Sequence, residues 1–581
     1  MSPPDSIHRT EKPNAGVPIL RTDSFLDDDR VKLTWRSWFI VFVSCFAIFS
    51  QVFVVVAAGS VIAFIIRDLG EPAIAGWIIQ GPLLMQSVLS PITGRLSDVL
   101  DRKYLAGVPP LIAFAGAVIS AKAESMATLI GGGVLIGTTL STISIVQAIP
   151  SEILPLKYRA LANGFAFLAG SFGGLVGVLG SGGVTNINPS GWRNIFWMQA
   201  AFHGMTALGL LGFYWPPPSN YPRLSWRQLV WACDPIGSLL MTAGTTLLLL
   251  GFDWAGGTFP WRDAHVLGPL VSGAVLLILF GLYEWKGRTD GIVAHVFFSR
   301  GPNFGLSVFA FAVEGFIFYS AVNSVVPQIV LNLGFETNAW RISVRQLAYN
   351  LVIIVSSVPV TWYATRYKDL KNPLLVTFFF FLVVSICYAT ITPKLNHAQI
   401  GYNVISGIGQ SGPLTLIVAL TQFTAPHQFL STATGLAFSA RAIGGAFGSA
   451  ILDAIINNKL ASYDATVGAA AVSAGLPADS VPALLAALAG GGAASAVPGV
   501  TDAILAAATT ASRNAYARAY RFAWAPIIPF VVVAMVCIAC LKDVSELMTE
   551  HVEATVEHVP AARVGHGERD EEKATTSTSG N

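Results

Sequence analysis

Stretches of about twenty mostly apolar residues recur along nearly the whole chain, each long enough for a helix to cross the hydrocarbon of a bilayer. No other property restricts the fold as much. Lipid offers no partner to an unpaired peptide group, so such a chain must satisfy its backbone inside its own helices. The stretches number about fourteen. Six run roughly 38–65, 73–92, 104–121, 126–149, 161–179 and 195–214, two follow at 236–252 and 266–283, and six more lie at 304–325, 343–363, 373–391, 402–423, 433–456 and 522–540. The expected fold is an all-α membrane protein in which six-helix bundles at 37–214 and 303–541 flank an inserted helix pair with its linkers at 215–302. Polar tails at 1–36 and 542–581 read as cytosolic, and the Ala- and Gly-rich segment 457–520 reads as an external loop with short surface helices, one starting near Ser480-Val481-Pro482.

Composition agrees. Hydrophobic residues make up 53% of the chain and charged residues 12%, against about a quarter charged in soluble domains. A net charge of +2 makes no case for nucleic acid. Four of the five cysteines sit in apolar runs and Cys233 just before one, which argues against a disulfide framework or a zinc site. The N-terminal segment has no apolar core ahead of a small-residue cleavage site, so it does not read as a signal peptide. With both tails inside, short inner loops hold about thirteen Lys and Arg against about seven in short outer loops, the long segment 457–520 excluded.

The two bundles carry a repeat. Gly164, Ala166, Phe167, Gly173, Gly174 and Gly177 match Gly435, Ala437, Phe438, Gly444, Gly445 and Gly448. Position 435 minus 164 is 271, and every pair shares that offset. Parallel repeats predict such a correspondence. Small residues on one helix face let backbones approach closely where lipid gives no hydrophobic drive, and the same face suits helices that rock against their neighbours.

Between the second and third spans stands Gly94-Arg95-Leu96-Ser97-Asp98-Val99-Leu100-Asp101-Arg102-Lys103. It resembles the signature loop of the major facilitator superfamily, G-x-L-x-D-x-x-x-R-K or close to it. The resemblance implies a tight helix approach at Gly94, a capping or pairing role for Asp98, and an inner-face position for Arg102 and Lys103. Glu152 and Arg159 after the fourth span resemble the inner-gate charges of that superfamily. Ion pairs that exist in only one state can bias a two-state equilibrium. Gly191-Trp192-Arg193, Asp234-Pro235-Ile236-Gly237, Leu250-Gly251-Phe252-Asp253-Trp254-Ala255-Gly256-Gly257 and Gly281-Leu282-Tyr283-Glu284-Trp285 resemble the fourteen-helix drug:proton antiporter class, and within it the fungal trichothecene-efflux-pump family. Three departures stand out. The first span lacks the acid of a D-x-T-I-V-N-V-A-L-P pattern, the fourth has Gly133 where an Arg is common, and the fifth has Gly173-Gly174 in place of a Gly-Pro pair.

Ionisable groups inside a bilayer are costly and mark functional candidates. Glu314, about ten residues into the ninth span, is the leading proton-coupling candidate. His203 in the sixth span is the second, because imidazole titrates near neutrality; a neutral ring bonded to backbone is the alternative. Gln51, Gln80, Tyr319, Asn323, Asn350, Gln410 and Arg441 are candidates for a substrate pocket walled by Phe49, Phe53 and Phe318. Arg441 suits an anionic group or pairing with an acid such as Glu314. No catalytic Ser/His/Asp arrangement, metal-spaced His cluster or P-loop stands out, so the chain reads as no enzyme and as having no cofactor or metal. The expected function is alternating-access, proton-driven efflux of small organic compounds by a monomer in the plasma or vacuolar membrane. Siderophore uptake and, further off, a transporter-like sensor are the alternatives.

Overall fold

The first bundle is built from α1 (Trp35–Ser60), α2 (Trp77–Val99), α3 (Arg102–Ala121), α4 (Met126–Leu140), α5 (Ile143–Ile153), α6 (Arg159–Thr185) and α7 (Arg193–Phe213). A short helix α8 (Trp226–Ala232) leads to the inserted pair α9 (Pro235–Trp254) and α10 (Ala264–Leu282). The second bundle follows as α11 (Asn303–Gly315), α12 (Val326–Asn332), α13 (Ala339–Tyr367), α14 (Lys371–Ala389), α15 (Asn396–Gln410), α16 (Pro413–Thr424), α17 (Leu430–Leu460), α18 (Tyr463–Ser473), α19 (Val481–Gly490), α20 (Asp502–Trp524) and α21 (Ile527–Ala539). The computed structural model describes residues 34–549, apart from 61–76 (where only Ile65, Asp68 and Leu69 are described), 101, 186–189, 216–224, 256–258, 300, 337–338 and 491–496 (where only Ser495 is described). Most of both tails lies outside the described residues. Among the described residues, twelve helices are long and apolar enough to cross a membrane. The long helices α2 and α7 occupy the second and sixth expected spans, so the count of fourteen remains approximate.

Spans are broken where the apolar pattern runs on, one of them at Ala525-Pro526 between α20 and α21. The span expected at 126–149 is α4 plus α5, interrupted at Ser141-Thr142, whose hydroxyls donate to the carbonyls of Thr138 and Thr139 at 2.7 Å each. Hydroxyls that bond the nearby backbone compete with helix propagation. In the second bundle α15 and α16 part at Ser411-Gly412, ahead of Pro413, which has no amide hydrogen to give. The repeat is visible in these elements too. Three-residue 3₁₀ turns at Leu156–Tyr158 and His427–Phe429 each lead into a glycine-rich helix, and α17 starts 271 residues after α6, 430 against 159.

Segment 457–520, expected as an external loop with short surface helices, is mostly helical, and α19 starts at Val481, where a helix was expected near Ser480-Val481-Pro482. It contains the end of the 31-residue α17, α18, α19 and most of α20, a 23-residue helix that leads into the last apolar one. Alanine is the best helix former, and Val467, Ala471, Leu476, Leu484, Ile504 and Ala508 give these helices a small core of their own. The bundles meet where α2 packs on α17 and where α6 packs on α13 and α16, and α9 lies against both α2 and α17.

Candidate transport site and gate

Glu314 sits in the last turn of α11, wholly buried. Next to it Gly315 lets α11 press on α17, since a Cβ at Gly315 would strike the Arg441 carbonyl oxygen. That approach brings the Arg441 guanidinium onto the carboxylate by two bonds, Nε to Oε2 at 2.5 Å and Nη2 to Oε1 at 2.9 Å. Gln410 Nε2 donates to Glu314 Oε1 at 2.5 Å, and Arg441 Nη1 donates to the Tyr319 hydroxyl at 2.8 Å. The guanidinium lies over Phe318 and Tyr319 at 4.6 and 4.8 Å from the ring centres. Two charges survive out of water when they are paired and their other donors are bonded, and this pair meets both conditions. From Phe316 to Val325 the helix widens into a ten-residue π-helical stretch, a local geometry frequent at functional sites.

Five of the residues selected from sequence therefore assemble here: Glu314, Arg441, Gln410, Tyr319 and Phe318. Tyr349 was not among them. It is buried on α13 within electrostatic reach of both Glu314 and Arg441, and its hydroxyl has no hydrogen-bond partner among the described residues. Its place beside Asn350 was the available signal. Asn323 and Asn350 stand apart, giving their amides to carbonyls of their own helices, those of Phe318 at 2.7 Å and Gln346 at 3.2 Å. The Gln80 side chain lies outside the described ones. His203 departs from the alternative of a backbone-bonded ring: fully buried on α7, neither ring nitrogen has a hydrogen-bond partner among the described residues, and Gln199 one turn earlier is in the same condition. Phe49 and Phe53 pack on Phe202, with ring centres 5.3 and 5.2 Å apart.

Gln51 occupies the matching place in the first bundle. A Cβ at Gly173 would strike the Phe49 carbonyl oxygen, and one at Gly444 that of Ala312. Gln51 lies two residues past the first contact and Glu314 two past the second. Gln51 is buried and donates to the Thr139 carbonyl at 2.7 Å and the Thr142 hydroxyl at 3.2 Å. At Arg441's matching position stands Gly170, facing Val52 and Ile48.

At the end of the bundles nearest the tails, Asp98 ties the halves together. Its carboxylate accepts from the amides of Ser431 and Thr432 at 3.2 and 2.7 Å and from the Thr432 hydroxyl at 2.6 Å, capping the first turn of α17. Arg102 holds Asp98 at 2.7 Å and reaches Glu152 with its other nitrogen. Gly94 abuts the Ser431 carbonyl, and a Cβ on Gly435 would lie 2.5 Å from that of Ser90. Lys103 is buried with its ammonium over the Trp215 ring. On the other side of the seam Arg159 donates to the Gln422 carbonyl at 3.1 Å, and Asn163 Nδ2 donates to Gln422 Oε1 at 3.0 Å while its own oxygen accepts from Gln147. Ser431, Thr432, Asn163 and Gln422 were not selected from sequence, because their roles come from a partner hundreds of residues away. Of the remaining repeat glycines, Gly164, Gly445 and Gly448 would clash with Thr361, Tyr319 and Phe316 if they bore a Cβ, whereas Gly174 and Gly177 make ordinary contacts.

A sequence model of the Major Facilitator Superfamily matches residues 38–449. The chain is 28% identical over 554 residues to the MFS-type transporter prx5 of Penicillium rubens, covering 93% of this chain and 98% of that protein. It is 24% identical over 530 residues to the trichothecene efflux pump TRI12 of Fusarium sporotrichioides, covering 88% and 87%. Among solved structures, a double-tryptophan variant of XylE is similar with a TM-score of 0.52 at 12% identity, covering 88% of this chain and 98% of that one. This last likeness is one of fold alone.

Proposed function

The chain belongs to the Major Facilitator Superfamily of membrane transporters, and from that premise we propose that it exports small organic compounds by alternating access, driven by proton entry through Glu314. The observation that carries the reading is the buried Glu314–Arg441 pair with Gln410 and Tyr319 around it. A proton on Glu314 removes the charge that Arg441 answers. The guanidinium then needs another acceptor, and the π-helical stretch beside it is the segment able to repack. Because an alternating carrier exposes the site to one side at a time, proton binding and release can occur on opposite faces.

The tail-side contacts at Asp98, Arg102, Asn163 and Gln422 act as the gate of this cycle. They hold the seam shut on the face read as cytosolic, and they must break for a compound to enter from that face. Similarity to a pump named for trichothecene efflux supports export of a secondary metabolite or drug, whereas nothing in the site favours siderophore import. Plasma membrane residence and a monomeric state belong to the same proposal.

A deletion strain screened against a chemical panel, complemented with wild type or Glu314→Gln, tests it. Wild type is expected to restore resistance to at least one compound and to extrude it in a pH-dependent manner. Unchanged rate and pH dependence in Glu314→Gln would remove Glu314 from the coupling.

A further inference from the structure

A second buried acid site lies where the inserted helix pair joins the gate. Asp234, fully buried, caps α9 with Oδ1 accepting from the Gly237 amide at 3.1 Å and from the Tyr283 hydroxyl at 3.3 Å, and its Oδ2 accepts from the Ile292 amide at 3.3 Å. Its backbone sits at φ 51°, a left-handed conformation that a non-glycine residue keeps only when its surroundings hold it there. Glu284, in the turn after α10, is also buried. Its Oε2 accepts from the Val293 amide at 3.0 Å, while Oε1 faces no donor among the described residues. A Cβ at Gly291 would touch Asp234 Oδ2 and both carboxylate oxygens of Glu284, and one at Gly237 would touch Asp234 Oδ2 and Glu284 Oε1, so the two carboxyl groups are neighbours.

The surrounding charges do not neutralise both acids. Arg288 Nη1 stands 3.6 Å from Asp234 Oδ1 without a hydrogen bond, and its Nε is spent on Asp290 at 3.0 Å. Arg95, from α2, gives its donors to the carbonyls of Ala232 and Asp290 at 3.0 and 2.7 Å. His295 places Nε2 3.0 Å from the Glu284 carbonyl, and Cys233 borders Arg95 and Arg288. Two adjacent buried carboxylates repel, and a shared proton turns that repulsion into an O–H···O bond. A cavity of about 240 Å³, lined by Gly281, Glu284, Trp285, Val293, His295 and Phe298, lies beside Glu284.

We propose that Asp234 and Glu284 bind one proton between them, and that this proton sets how firmly the inserted helix pair is strapped across the seam between α2 and α17. The strap is physical. Arg95 follows Gly94 in the gate loop and lies over Phe429, just ahead of α17, at 4.8 Å, while it holds both linkers of the inserted pair. Ile292, whose amide Asp234 receives, packs with Met241 and Phe280 against Ile92 of α2 and Leu436 of α17. Loss of the proton sets the carboxylates against each other and loosens the turn at 290–293. This site is separate from Glu314 and does not depend on the coupling role given to it.

Purified full-length protein in detergent, with thermal unfolding followed from about pH 6 to about pH 9, tests the site with the proton itself as ligand. A proton bound in the folded state and lost on unfolding stabilises at low pH and stops doing so as pH rises. Wild type should lose roughly 2–4 °C across the range. Glu284→Gln, whose amide can donate to Asp234 and whose oxygen can accept from Val293, should hold a flat profile. Hydrogen exchange of wild-type peptide 288–295, corrected for the intrinsic pH effect, should show the Ile292 and Val293 amides losing protection over the same range, and this arm stands even where the variant fails to fold. A flat wild-type profile, an unaltered slope in Glu284→Gln, or pH-independent protection of those amides would overturn the proposal.

Discussion

Replacing Asp98 by Asn tests the gate with little change of shape. The carboxylate receives three hydrogen bonds from Ser431 and Thr432 and a fourth from Arg102. An Asn keeps one acceptor oxygen but turns an NH₂ group toward donors, losing charge-assisted bonds worth about 1.5–3 kcal/mol and a favourable charge at a helix N-terminus worth about 0.3–1 kcal/mol. Arg102 keeps Glu152, so the first bundle retains a buried pair. The net bias toward the tail-side-open state is about 2–3 kcal/mol, enough to bring a gate held at roughly 99:1 close to parity. Spin labels at Tyr104 and Arg366, one on each bundle near the tails, should report one short distance in wild type and a mixture of short and long distances in Asp98→Asn. A folded Asp98→Asn protein with the wild-type distance distribution would refute the assignment, because the seam would then be held without this carboxylate.

Arg441→Met alone leaves Glu314 buried without its cation and should cost about 3–5 kcal/mol of stability, whereas Glu314→Gln with Arg441→Met should recover most of it; a double-mutant cycle by chemical denaturation checks both. Gly435→Val pushes a side chain into the Ser90 carbonyl, an overpacking of about 1–3 kcal/mol, and should open the same label pair without touching any charge. At the opposite end of the bundles, the Asp68 carboxylate is held below its ordinary pKa first by its hydrogen bond from Arg193 and also by that from Trp192. The contact therefore stabilises above the usual Asp value and fades as pH falls through the lowered one; acid unfolding of Asp68→Asn should lack that last increment.

The repeat was legible because six identities share one offset, and because Gly173, Gly435 and Gly444 each sit against a neighbouring backbone carbonyl that leaves no room for a side chain. The loop beginning at Gly94 was legible for a similar reason, since its polar spacing falls between two apolar runs. Glu314 and Arg441 each stood out as a charge in an apolar stretch. Their pairing stood as one of two readings for Arg441 and could not be decided from sequence, since 127 residues separate the two and the contact depends on Gly315 admitting α17. Asp98 had a legible identity and an illegible partner, the first turn of a helix more than three hundred residues on. The breaks at Ser141-Thr142 and Ser411-Gly412 were hidden because hydropathy continues across them, and only side-chain bonding and Pro413 interrupt the ladder. In 457–520 the search for twenty apolar residues passed over α20, a helix carrying Arg513, Arg518 and Arg521, since that criterion measures oil content and not helicity.

The matched positions Gln51/Glu314 and Gly170/Arg441 restrict how one copy of the repeat can be turned into the other. A lone arginine at Gly170 meets Val52 and Ile48, and a lone glutamate at Gln51 meets the Thr139 carbonyl, so either single change strands a charge at membrane depth. Acid and base must be gained or lost together, or through a neutral residue at both places first. The duplicated halves thus share a scaffold but are not interchangeable parts, and grafting the second half's chemistry onto the first takes at least two coordinated substitutions.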